Sequence, residues 1–218
     1  SDWRTIKVLD VATGEEMSDE IRWAKFTGIA WLGDEGFFYS RFPETEEGQD
    51  FQSLNYNQKV YFHRLGTAQS ADELVYETPQ FKEQGHGLGV TDDGRWAFIS
   101  SSTGTDNRNE LRVIDLANRA DGSWQTRDIV TGFENEWSPI ASTGDTVYFM
   151  TNKDAPRYRI VRADLTQPTL QWEEVVPQGD NPISGASIIG DRLVVEFMQD
   201  ASSRAVYYDL DGNRTGEL

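Results

Sequence analysis

Four strand-like tripeptides ending in aspartate recur along the chain: Val8-Leu9-Asp10, Val113-Ile114-Asp115, Arg162-Ala163-Asp164 and Tyr207-Tyr208-Asp209. Asp10 to Asp115 is 105 residues, two repeats, with His63-Arg64-Leu65 at the midpoint; the later intervals are 49 and 45. A period of roughly 45–52 residues holding four short alternating runs is the signature of a propeller blade. A two-sheet sandwich needs no such period. The spacing predicts an all-β chain, a β-propeller of four-stranded antiparallel blades.

The cleanest copy is 87–116, GLGVTDDGRWAFISSSTGTDNRNELRVIDL. It reads as a strand at 87–90, a turn at Asp92-Asp93-Gly94, a strand at 95–101, a polar loop and a strand at 111–116; 124–130 supplies the fourth. Before it come strands at 4–9, 21–26, 29–32, 37–42, 59–64 and 73–77, with a long polar loop at 43–57. After it come strands at 138–141, 147–151, 158–165 and 170–176, then 186–189, 193–198 and 205–210. The chain reaches Gly212-Asn213-Arg214-Thr215 without a recognisable last strand. Blade units fall at roughly 1–26, 27–78, 85–131, 135–177 and 184–218. Two strands, three full blades and three strands do not close into a ring, so the expectation is an incomplete propeller whose open edges favour association.

Composition removes several function classes. The formal charge of −17 opposes phosphate binding, which needs a basic stripe; it suits solubility or attraction of cationic peptides. No apolar run approaches the roughly 18 residues that span a bilayer. The opening Ser1-Asp2-Trp3-Arg4 has no basic-then-apolar leader, as expected of a mature start or a cut chain. The expectation is a soluble protein, cytoplasmic or periplasmic. Absence of cysteine excludes disulfides and thiolate chemistry but does not assign a compartment.

Residues for chemistry are sparse. Gly-x-Ser-x-Gly, the strained turn that exposes a hydrolase serine, is absent; Ser184-Gly185-Ala186-Ser187-Ile188 lacks the second glycine. His63 sits in a run with aromatic neighbours and reads as a packed strand residue, whereas His86 reads as a loop histidine between glycines. Two distant histidines without cysteine make no zinc site, and no cofactor is implied. Asp34, Asp93, Asp145 and Asp191 occupy turns, where carboxylates bond local backbone. Thr91 to Trp96 is close to a sialidase Asp-box but too short. Asp106-Asn107-Arg108-Asn109 is half a calcium loop without its glycine. Asn213-Arg214-Thr215 is a formal glycosylation sequon in a turn.

An ordered set of strings spans essentially the whole chain: Ser1-Asp2-Trp3 with Thr5-Ile6-Lys7, and Ala24-Lys25-Phe26 leading to Ala30-Trp31. Gln58-Lys59-Val60-Tyr61 with Leu65-Gly66-Thr67 follows, then Asp92-Asp93-Gly94-Arg95, Asn152 through Tyr158-Arg159, and Val175-Val176-Pro177. With these the chain resembles the non-catalytic propeller of prolyl oligopeptidases, serine peptidases that cut short peptides after proline. The resemblance implies about four of seven blades, the second through fifth, of a cap that admits only small peptides. It also implies a catalytic α/β-hydrolase domain outside this chain, carrying the serine, aspartate and histidine, so that no catalytic residue is expected here. The expected partners are that domain and, through the complete enzyme, short proline-containing peptides.

The same resemblance places Phe26 on an aromatic of the subsite for the residue two before the proline. Thr105 falls where well-known members carry a cysteine, and Ser102 where they carry an arginine. Those departures make the wall less cationic and remove a thiol. Two other readings stay open: a kelch-like interaction propeller, and a propeller glycoside hydrolase, which needs two carboxyl groups about 5–10 Å apart.

Overall fold

The computed structural model describes residues 2–44, 55–119 and 123–218; most of the polar loop at 43–57 lies outside them. The strands are β1 (Arg4–Leu9), β2 (Glu16–Ala24), β3 (Ala30–Leu32), β4 (Gly36–Arg41), β5 (Lys59–Arg64) and β6 (Glu73–Tyr76). Next are β7 (Gln84–Val90), β8 (Trp96–Thr103), β9 (Glu110–Asp115) and β10 (Thr126–Val130). Then come β11 (Trp137–Thr143), β12 (Thr146–Thr151), β13 (Arg159–Asp164) and β14 (Glu173–Val176). The last are β15 (Ile183–Ile189), β16 (Arg192–Gln199), β17 (Ser202–Tyr208) and β18 (Arg214–Glu217).

Four antiparallel meanders result: β3-β4-β5-β6, β7 to β10, β11 to β14 and β15 to β18. The β1–β2 hairpin joins the first meander through one strand pair, Ala24 with Arg41. In every meander the first turn holds a glycine with positive φ: Gly33 (50°), Gly94 (68°), Gly144 (66°) and Gly190 (65°). That conformation costs glycine almost nothing, and it lets the same tight hairpin recur once per repeat.

Two strands at the ends of the chain differ from the sequence expectation. The fourth meander is complete, because β18 pairs with β17 through Val206–Glu217, Tyr207–Gly216 and Tyr208–Arg214. Its residues, RTGE, lack strand propensity; the Asp209 carboxylate organises the turn instead, accepting from Asp211 N at 3.0 Å and Asn213 N at 2.8 Å. Gly212 must lie close to the β14 backbone: a Cβ there would sit 2.0 Å from the Val175 carbonyl oxygen. The second difference is β2, which begins at Glu16 rather than residue 21.

The chain divides into two compact units, Ser1–Val90 with Trp96–Asp106 and Leu111–Asp128, and Thr91–Arg95 with Asn107–Glu110 and Ile129–Leu218. In the first, Phe38, Val60, Phe62 and Val75 pack against Ala97, Ile99 and Ile114. Trp124 sits edge-on to Phe38 at 5.1 Å and tilted against Phe62 at 5.0 Å. Alternation along the strands sends Phe37 and Tyr39 to the opposite face, where Val8 and Ile21 of the hairpin cover them. Both faces of this sheet are thus dry, and each buried phenylalanine contributes about 1.5–3 kcal/mol. In the second unit Tyr148, Ile160, Val175 and Val176 pack on Ile183, Leu193 and Val195.

The hairpin is also held by buried polar contacts. His63 is fully buried, with Nδ1 2.6 Å from Asp72 Oδ1 and Nε2 2.9 Å from Asp19 Oδ1 on β2. Each ring nitrogen of His63 thus meets a buried carboxylate oxygen, one from β2 and one from the turn before β6. Tyr39 Oη donates to Asp72 Oδ2 at 2.5 Å; burial and that bond hold the phenol well above its ordinary pKa. His63 is packed, as its neighbours suggested, but at the centre of a buried hydrogen-bonded clamp. Replacing it, His63→Leu, removes one partner from each aspartate and leaves Asp72 with Tyr39 and Asp19 with the Gly66 amide. It should cost about 2–4 kcal/mol, read as a shift in the urea midpoint at constant slope.

Candidate functional site

Phe26, Ser102 and Thr105 all belong to the first unit. Phe26 follows β2 and is 67% exposed, with a left-handed backbone of φ 52°; Trp23 just before it has φ 62°. Such a conformation costs an aromatic residue about 1–3 kcal/mol and persists only where surroundings impose it. Here the Lys25 ammonium lies 5.1 Å from the Phe26 ring and 5.2 Å from Trp3. Trp3 itself meets Trp23 edge-on at 5.6 Å. On the other side Gln58 holds the backbone, its Nε2 donating to Lys25 O at 3.1 Å and Phe26 O at 3.2 Å.

Gln58, buried before β5, uses its remaining polar atom to reach the next meander. Its Oε1 accepts from His86 N at 2.7 Å. Gly85 leaves room for that contact, since a Cβ there would come 3.2 Å from Gln58 Oε1. Gly85 is the register partner of Ser102, and His86 of Ser101. One glutamine therefore ties the Phe26 turn to the strand end that carries Ser102. Ser102 is half-buried on β8, and Thr105 is exposed in the turn that follows.

His86 lies within β7 rather than in a loop. Its Nδ1 faces Ser101 Oγ at 2.9 Å and its Nε2 faces Thr78 Oγ1 at 3.1 Å, with Tyr76 edge-on at 5.1 Å. Burial, helped by the Arg112 charge, pushes its pKa down to about 4. The ring is thus neutral, and this serine–histidine pair is closed to a substrate because both residues are buried. Two depressions open beside it. One of about 290 Å³ is lined by Phe81, Lys82, Gln84 and Thr103. Another of about 220 Å³ is lined by Pro43, Gln58, Lys59 and Thr78.

The arrangement offers an exposed aromatic face, hydroxyl side chains and shallow concavities, which suit contact with a peptide. Residue patterns gave no sign of Gln58 as the tie, because its partners lie about thirty residues away on either side. Among the described residues, no group of three or more His, Cys, Asp or Glu is placed to hold a metal ion. Asn109, from the calcium-like string, instead bonds the Trp137 backbone at 2.9 Å and 2.8 Å. No helix of the described residues is long and apolar enough to cross a membrane.

Comparison with known proteins matches residues 1–217 to a family model described as prolyl oligopeptidase, N-terminal beta-propeller domain. A prolyl endopeptidase of Elizabethkingia meningoseptica is 37% identical over 97% of this chain and 29% of its own length. Prolyl oligopeptidase A of Amanita bisporigera is 32% identical over 93% of the chain and 28% of its length. A solved prolyl endopeptidase structure superposes over 100% of the chain and 31% of its own, with TM-score 0.91 and 39% identity. The chain therefore spans less than a third of the relatives it matches.

Two outcomes follow from the Gln58–His86 arrangement. Gln58→Leu leaves the His86 amide and the 25–26 carbonyls unpaired and should cost about 2–3 kcal/mol by denaturant unfolding. Because the folded-state pKa of His86 lies below its unfolded value of 6.5, the unfolded chain binds the extra proton. The His86 contribution is complete above about pH 6.5 and fades toward pH 4, up to about 3 kcal/mol. Urea midpoints measured across that window should slope less in His86→Gln.

Proposed function

Because this β-propeller segment belongs to the prolyl oligopeptidase family through its N-terminal propeller domain, we propose that it is the access-limiting, pocket-lining part of a serine peptidase that cleaves short peptides after proline. The observation that carries this reading is Phe26, an aromatic side chain held out to solvent by a left-handed backbone and fastened through Gln58. Backbone strain spent on exposing an apolar ring is a mark of a contact surface. In this reading Phe26 packs on the substrate residue two before the proline, and Ser102 and Thr105 line the adjoining wall. Blade units at 1–26, 27–78, 85–131, 135–177 and 184–218 form part of the propeller.

Catalysis belongs to an α/β-hydrolase domain, which supplies nucleophile, base and oxyanion donors; a wall without them has no route to acyl transfer. This chain alone is inactive on that account. The charge of −17 assists approach of cationic peptides.

The reading is tested in two steps. The purified 218-residue chain should not hydrolyse a chromogenic proline peptide; turnover blocked by a serine-directed inhibitor would place the catalytic group here and sink the proposal. In an enzyme joining this segment to its hydrolase domain, Phe26→Ala should raise KM about 5- to 20-fold with kcat nearly unchanged, as expected for lost uniform binding. An unaltered KM removes Phe26 from the pocket.

A further inference from the structure

Arg41 ends β4 in a setting unlike that of five other half-buried arginines. Arg95, Arg112, Arg119, Arg159 and Arg162 each hold a carboxylate oxygen within 3.2 Å. Among the described residues no carboxylate pairs with Arg41; its Nε is buried without a hydrogen-bond partner, a feature shared with Arg159 Nε and Arg112 Nη1, so the missing carboxylate is what sets it apart. Its guanidinium lies flat enough on Tyr61 to bring Cζ 4.3 Å from the ring centroid, and Tyr39 stacks beneath Tyr61 at 6.0 Å and 27°. The ring pair fixes the fork in place, so little side-chain freedom is left to lose on binding.

The neighbouring charges select the ligand. Lys59, the register partner of Arg41, already holds Glu77 at 2.7 Å. Among the described residues, Arg41, Lys59 and Glu77 together leave one positive charge unmatched, in a chain whose net charge is −17. A guanidinium fork matches a carboxylate bidentately. A phosphate dianion would lack a second free cation and would meet the Glu77 charge.

We propose that Arg41, stacked on Tyr61, is a carboxylate-binding site for a peptide, taking an acidic side chain or a terminal carboxylate. The proposal does not depend on the peptidase reading.

The test uses the 218-residue chain and NMR of the arginine Nε–H and tyrosine ring signals. Probes are acetyl-Gly-Glu-Gly-amide, acetyl-Gly-Gly-Gly with a free carboxylate, acetyl-Gly-Gln-Gly-amide and inorganic phosphate. Both carboxylate probes should shift the Arg41 and Tyr61 signals and saturate with Kd of about 1–10 mM. The tighter of the two names the source. The glutamine peptide should leave both signals in place. R41Q should abolish the shifts, and R41K should weaken binding about tenfold by losing the fork. Tyr61→Leu, which keeps the charge and removes the stack, should weaken it about threefold or more. Near-UV circular dichroism confirms that each variant is folded; if R41Q is not, R41K and Tyr61→Leu decide. No shift with either carboxylate, an equal shift with the glutamine peptide, tighter binding of phosphate, or full binding by the folded variants overturns the proposal.

Discussion

A strand with apolar residues at both odd and even positions has two faces to remove from water, and Gly36–Arg41 is such a strand. Phe38 goes to one side and Phe37 and Tyr39 to the other. Strands packed on either side cover both, and sheet-on-sheet contact recurs as Tyr148, Ile160 and Val175 meet Leu193 and Val195 in the second unit. Hydrogen bonding within a meander fixes four strands, but it leaves the faces open. Stability comes from stacking, as in any repeat architecture where one unit cannot bury its own apolar surface.

Charge appears inside this stack where apolar packing is interrupted. The Asp19–His63–Asp72 clamp and the neutral His86 between two hydroxyls both belong to the first unit, on strands of different sheets, and they surround the same residue type differently. Two carboxylates face the first ring, while the second faces two hydroxyls and is kept neutral by burial, helped by the Arg112 charge. Environment rather than residue identity decides the protonation state. Arg41 completes the contrast as a cation anchored by an aromatic ring instead of an anion.

Most of the architecture was legible from spacing, because period, turn glycines and alternating runs are all local. The exceptions have local explanations too. Strand β18 is polar and held by backbone pairing and the Arg204–Glu217 ion pair to β17, so no propensity announces it. The first half of β2 is charged because that side of the hairpin is solvated, and Asp19 within it turns inward to a partner far along the chain. The glycines around His86 hide a strand, since they remove the side chains by which strands are recognised. The candidate site was less visible. Phe26 was reached through resemblance, but its left-handed backbone and the Gln58 tie depend on contacts between segments distant in sequence.

The β1–β2 hairpin has an attachment of a distinct kind. One strand pair, Ala24 with Arg41, joins it laterally to the neighbouring sheet, while Val8, Ile21 and Asp19 dock it from the side. A unit held by side chains can lift away with its own ladder intact. Its amides would then exchange with solvent hydrogen through a shared sub-global opening, at a free energy set by the docking contacts and not by the ladder. Because that unit ends at Ala24, the strained turn bearing Phe26 lies at the hinge between a detachable element and a fixed one.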